Sequence, residues 1–84
     1  MLTEAINALL SGEFDAGRAM LRDYVNATVT FGVLAKRTGK PSKSLQHMLG
    51  PSGNPTAGNL FAIIKVLQDA EHIHLQVKAV KQAA

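Results

Sequence analysis

Within six consecutive positions the chain places Ser42, Lys43, Ser44, Gln46 and His47. These side chains offer hydroxyls, an ammonium, a carboxamide and an imidazole. A carboxamide sets a donor beside an acceptor and so matches the N6/N7 edge of adenine. Hydroxyls and cations bond base edges and phosphate oxygens. That is recognition chemistry rather than covalent chemistry. Ser42, Ser44 and Ser52 have no paired base and orienting carboxylate to make a nucleophile. The loop from Gly50 to Gly53 lacks the Lys-Ser/Thr ending of a nucleotide-binding loop, and no strand pattern precedes it. His72 and His74 would share one face of an extended segment. A metal site needs three or four ligands, and no thiol or carboxylate cluster accompanies them. The expectation is no enzyme, no cofactor and no metal.

Charge patterning points the same way. The chain has 84 residues, with nine Lys and Arg against six Asp and Glu, a formal net charge of +3. The acidic residues are Glu4, Glu13, Asp15, Asp23, Asp69 and Glu71, so none falls between 24 and 68. That stretch holds Lys36, Arg37, Lys40, Lys43 and Lys65, and the first four lie within eight residues. Scattered lysines usually line a solvated helix face. A one-signed middle between acidic ends suits a polyanion better.

Length bounds the chain to one domain, 1–84, with a helical core over 12–70 and a tail over 71–84. The absence of cysteine fits a reducing compartment. Glu4 stands where a secretory leader would be basic. No apolar run reaches the roughly 18–20 residues of a membrane span. These features predict a cytoplasmic protein with no membrane partner.

Five helices are expected to position the polar groups. Thr3 would cap a helix over 4–10 carrying Ile6, Leu9 and Leu10, closed by Ser11-Gly12. Phe14, Gly17 or Ala19, Leu21, Tyr24 and Val25, with Met20 beside them, recur at helical spacing over 14–27. Thr30 would cap a helix over 31–38 that Gly39 stops. The helix over 42–49 would turn Leu45, Met48 and Leu49 inward. After the turn-rich Gly50–Pro55 loop, Thr56 would cap a helix over 57–69 with Leu60, Ile63, Ile64 and Leu67 as its stripe. Beyond it, Ile73, Leu75, Val77 and Ala79 alternate with polar residues. Ile73, Val77 and Val80 would also line a helix, but the density of β-branched residues favours a strand. No second strand is evident, so its partner would be the same tail in a second subunit. The expected fold class is all-α with a short C-terminal strand paired across a dimer.

The stretch 31–49 has the residue types of a helix-turn-helix. Ala35 is small where two helices would cross. Gly39, four residues on, permits a sharp bend. Leu34 faces the core, and Leu45 and Met48 anchor the second helix. Their spacing leaves Ser42, Lys43, Ser44, Gln46 and His47 outward. The pattern Leu34-Ala35, Gly39, Leu45 resembles the helix-turn-helix of the Cro/repressor, or lambda-repressor-like, superfamily. A longer run is similar to a narrower group within it: Leu21-Arg-Asp-Tyr-Val-Asn-Ala-Thr28, Lys43-Ser-Leu45, Met48-Leu, Gly53-Asn-Pro55 and Leu60-Phe. That group is the addiction-module antidotes of the host-inhibition-of-growth antitoxin type. The resemblance spans about residues 14–80.

The resemblance implies a five-helix, dimeric repressor of double-stranded DNA whose antidote members also bind a cognate toxin. Carried over by position, helix 42–49 would read bases through Ser42, Lys43, Ser44, Gln46 and His47. Thr30, Arg37, Lys40, Lys43, Asn54 and Thr56 would meet phosphate, and Phe31 would lie against the DNA backbone. Two departures stand out. Lys40 occupies a slot where the superfamily places an apolar residue, so either the turn is splayed or the lysine stem covers the core. Phe31 replaces a polar residue, which removes any side-chain phosphate contact there. The alternative reading is a protein-interaction module that binds a partner such as a toxin through its helices or tail, without specific DNA binding.

Overall fold

A computed structural model of the chain describes residues 1–83. Five helices follow one another: α1 (Leu2–Leu10), α2 (Phe14–Ala27), α3 (Thr30–Thr38), α4 (Ser42–Met48) and α5 (Ala57–Ala70). No strand is present among the described residues. No helix is long and apolar enough to cross a membrane.

Helices α2, α4 and α5 bury the stripes that their spacing predicts, with Phe14, Met48 and Leu60 half-buried. Leu21, Tyr24 and Val25 of α2 meet Phe31 and Leu34 of α3, Leu45 of α4, Leu49 after it, and Ile63, Ile64 and Leu67 of α5 in one cluster. Burying each such side chain contributes about 1.5–3 kcal/mol. On α1 the buried positions are Leu2, Ala5 and Ala8, while Leu10, expected inward, is 66% exposed. The burial of Leu2 also explains why α1 starts before Thr3. Packing carries the helix past the capping preference, and Met1 takes the cap position without a side-chain bond. The Met1 ammonium lies 3.6 Å from the Glu4 carboxylate.

The other caps divide. Thr56 caps α5 as expected, its hydroxyl oxygen accepting from the Asn59 N–H at 3.2 Å. Thr30 is the first residue of α3 rather than its cap, a position that falls to Val29. Thr30 sits at φ +71°, which strains a β-branched side chain. Its Oγ1 nonetheless accepts from the Val33 N–H at 3.5 Å. At the far end of α2, the Tyr24 hydroxyl donates to Glu71 Oε1 at 3.1 Å, joining the ends of α2 and α5. Burial, then that bond and the neighbouring carboxylate, raise the phenol above its usual range.

α5 closes with two reversed bonds, Ile73 N–H to Gln68 O at 3.0 Å and His72 N–H to Asp69 O at 3.3 Å. This closure needs a left-handed residue, and His72 supplies it at φ +56°. His72→Gly is therefore expected to raise stability by about 0.5–1 kcal/mol, since glycine adopts this φ without a Cβ penalty. Thermal unfolding should shift up by several degrees. An unchanged or lower midpoint would show that the imidazole makes up for the strain.

The tail beyond α5 corrects the strand expectation. Residues 73–83 have no regular structure. A strand needs a ladder partner for its backbone groups, and there is none among the described residues. The tail instead lies back on the bundle. The Leu75 N–H donates to the Gln68 carboxamide oxygen at 2.8 Å, and Leu75 packs against the core. Leu75 to Lys78 run beside Thr3, Ile6, Asn7 and Leu10 of α1. Ile73, Val77 and Val80 stay exposed.

Candidate nucleic-acid interface

The polar cluster of the sequence sits on α4, and α3 positions it. Gly39 ends α3 at φ +71°, its N–H returning to Ala35 O at 2.9 Å. A left-handed residue turns the chain away from the α3 axis. Pro41, extended at φ −60° and ψ 139°, carries it into α4 at Ser42. The Thr38 hydroxyl steadies the corner, donating to Leu34 O at 2.8 Å and accepting from the Lys40 N–H at 3.4 Å. Leu34 and Leu45 are fully buried, and Ala35 and Met48 are half-buried. Lys40 is half-buried too, which favours a stem lying along the protein with its ammonium outward.

With Leu45 and then Leu49 turned into the core, the opposite side of α4 faces solvent. Lys43, Ser44, Gln46 and His47 are exposed and Ser42 is half-buried. Gln46 Nε2 donates to Ser42 Oγ at 3.0 Å, one turn apart. This bond restrains the carboxamide yet leaves one N–H and the oxygen Oε1 free. Those are the two groups that an adenine edge requires. Of the residues expected at phosphate, Thr30, Arg37, Lys43, Asn54 and Thr56 are exposed and Lys40 is half-buried. Thr56 uses a lone pair for its cap and keeps its hydroxyl proton available. Phe31 departs from the place that the resemblance implies, though not from the core place that its residue type suggests. Its ring is buried with Leu34 in the core rather than lying on the surface.

Comparison with family models, curated proteins and solved structures finds no match.

Two residues hold this surface in place in a way that the sequence alone does not announce. Arg18 of α2 is only 6% exposed. Its guanidinium donates to Gly53 O and Pro51 O, both at 3.1 Å, in the loop that follows α4. It also lies 5.3 Å from the centre of the Phe14 ring and 3.1 Å from an exposed Asp15 carboxylate. Gly53 is buried where that loop crosses the end of α4, against the carbonyls of His47 and Met48. The signal for Arg18 was its place one turn from both Phe14 and Leu21, inside an apolar stripe. A charge there implies a buried partner.

Beside α4 runs a groove of about 440 Å³. Ser42 and Gln46 line it from α4, Arg22 and Asn26 from α2, Phe31 and Gly32 from α3, with Gly50 and Pro51 closing one end. His72 and His74 both lie in the exposed tail, and no three His, Asp or Glu side chains gather in a metal-binding group among the described residues.

Proposed function

We propose that the chain is a sequence-specific double-stranded-DNA-binding regulator of the lambda-repressor-like helix-turn-helix kind, without enzymatic activity. It acts as a repressor in the cytoplasm by inserting α4 into the major groove. The observation that carries this reading is the two-sidedness of α4 after the Gly39 bend. Its apolar side is sealed in the core, and its outward side carries donors and acceptors over one turn and a half. Lysines flank that side, and no acidic residue lies between 24 and 68 to repel a phosphate strand.

In this mechanism Lys43, Lys40 and Arg37 fix register on phosphate while Gln46 reads an adenine. Ser42 holds the Gln46 carboxamide in its reading orientation, so less side-chain entropy is lost on binding. A homodimer would repeat the arrangement about 34 Å away, one turn of DNA, on a pseudo-palindromic operator.

Two substitutions test the assignment by anisotropy on a selected and a random duplex. Gln46→Ala is expected to weaken the selected duplex by about 1–3 kcal/mol and to spare the random one. Equal losses on both would remove Gln46 as a reader. Lys43→Ala should flatten the salt dependence on both duplexes by about 0.9 in log–log slope per protomer. An unchanged slope would take Lys43 off the phosphates.

A second reading, binding of a partner protein such as a toxin, is favoured by one specific feature. Ile6, Leu10, Phe14 and Phe61 line an apolar groove between α1, α2 and α5, and Leu10 and Phe61 are each 66% exposed. Exposed apolar surface of this kind marks interaction sites. If this alone is the function, charge reversal on α4 will leave partner affinity unchanged and no duplex will bind selectively.

A further inference from the structure

We infer that Arg22 and Asn26 of α2 form a phosphodiester seat beside the reading helix, so that the DNA strand bordering the major groove is held by α2 as well as by α4. The inference rests on the DNA-binding reading above and goes beyond it. It assigns a contact to an element outside the bent helix pair.

The first argument is place. The groove has α2 on one wall and α4 on the other, and the α4 wall is made of Ser42 and Gln46, the pair whose hydrogen bond orients the reading carboxamide. A duplex that presents a base edge to Gln46 brings its sugar–phosphate backbone alongside that edge, because phosphates border the groove being read. The groove is therefore continuous with the reading surface.

The second argument is what lines it. Arg22 is half-buried, and its one ion-pair partner among the described residues is Asp23, the next residue in the chain, at 3.9 Å from Nε. That separation is too long for a hydrogen bond, and exposed pairs of this kind contribute little. No hydrogen bond holds the Arg22 guanidinium or the Asn26 carboxamide among the described residues. A guanidinium gives paired N–H donors that match two phosphate oxygens, and a carboxamide adds a neutral donor. The floor is open. A β-carbon at Gly32 would find nothing nearer than Thr30 Oγ1 at 3.8 Å.

The third argument is a contrast within the same helix. Arg18, one turn earlier, has two carbonyls, a carboxylate and an aromatic ring around its guanidinium. Arg18 holds the fold together. Arg22 has no such set, and it lines a groove shared with the polar side chains of Asn26, Ser42 and Gln46.

The test uses the full-length wild type, Arg22→Ala, Arg22→Lys and Asn26→Ala. Binding to a selected duplex and to a random duplex is measured between 50 and 200 mM salt. A phosphate contact carries no sequence information, so Arg22→Ala should weaken both duplexes by the same factor. Losing one contact should also shrink the affinity drop across that salt range by about 3.5-fold per protomer. Arg22→Lys should keep the wild-type salt slope. Asn26→Ala, which removes no charge, should lower affinity at an unchanged slope. If the wild type binds and Arg22→Ala keeps its slope, the seat is wrong while the DNA-binding reading stands. A loss confined to the selected duplex would make Arg22 a base reader and likewise overturn the seat. If the wild type binds neither duplex, both readings fall. Thermal unfolding of each variant separates a lost contact from a lost fold; should Arg22→Ala unfold, Arg22→Gln, which keeps the stem and removes the charge, carries the same slope test, a flattened slope being expected and a wild-type slope overturning the seat.

Discussion

Gly53→Ala should cost the protein roughly 3 kcal/mol or more and lower its unfolding midpoint steeply. A methyl group on Gly53 would overlap the carbonyl oxygens of His47 and Met48 and sit 2.6 Å from the Met48 carbonyl carbon. All three atoms belong to the backbone at the end of α4, so no side-chain rotation can make room. Relief requires the 50–55 loop to move off α4. That movement pulls Gly53 O away from the Arg18 guanidinium, leaving a buried cation with one donor fewer in use. Overpacking alone commonly costs about 1–3 kcal/mol, and the lost charged hydrogen bond adds to it. Folded domains are stable by only about 5–15 kcal/mol, so the loss is a large fraction of the total. Urea unfolding followed by circular dichroism measures it. A midpoint near that of the wild type would mean that the loop is loosely held, and that α4 is not fixed from behind.

Arg18→Met should destabilise by about 2–4 kcal/mol, the second largest effect expected. Methionine keeps most of the buried stem and removes only the guanidinium. Two carbonyls then lose a charged donor, and one of them, Gly53 O, lies in a buried residue. Bonds to charged groups contribute about 1.5–3 kcal/mol, and a buried orphan acceptor costs about 1–3. Against this, burying a guanidinium is itself expensive, and Arg18 Nε is buried without a partner. The hydrogen bonds win because they close a loop that has no other tie to α2 among the described side-chain bonds. The Asp15 pair decides little, since its carboxylate side is 90% exposed. Asp15→Asn should therefore change stability by less than about 0.5 kcal/mol. The same unfolding experiment on both variants checks the contrast. An Arg18→Met protein as stable as the wild type would show that the charge is incidental.

What could be read from the residues, and what could not, follows from the range of the forces involved. The helices over 14–27, 42–49 and 57–69 were legible because Leu21, Val25, Leu45, Leu49, Ile63 and Leu67 recur at the helical period. The fold buries those residues. The cap at Thr56 and the bend at Gly39 are local chemistry, and they appear as expected. The failures involve residues distant in sequence. Thr3 lost its cap to the burial of Leu2 against other helices. The tail alternates like a strand, but a strand needs a partner. Gln68, seven residues from Leu75, takes the backbone donor instead. Phe31 was placed at the surface by analogy of position, while its ring follows the hydrophobic effect into the core. Arg18 and Gly53 meet across 35 residues, and no local pattern announces that distance. On α4 the outward residues were legible, because burial of Leu45 and Leu49 dictates the rest. The α2 wall of the neighbouring groove was not, because Arg22 and Asn26 reach it only through tertiary packing.

The account stands on α4 turning its polar side to a duplex, and selection from random double-stranded DNA by the full chain tests this most directly. The account predicts that successive rounds enrich one short motif, present as two inverted copies with centres about one turn of the double helix apart. A pool that stays random after repeated rounds at low salt would contradict it.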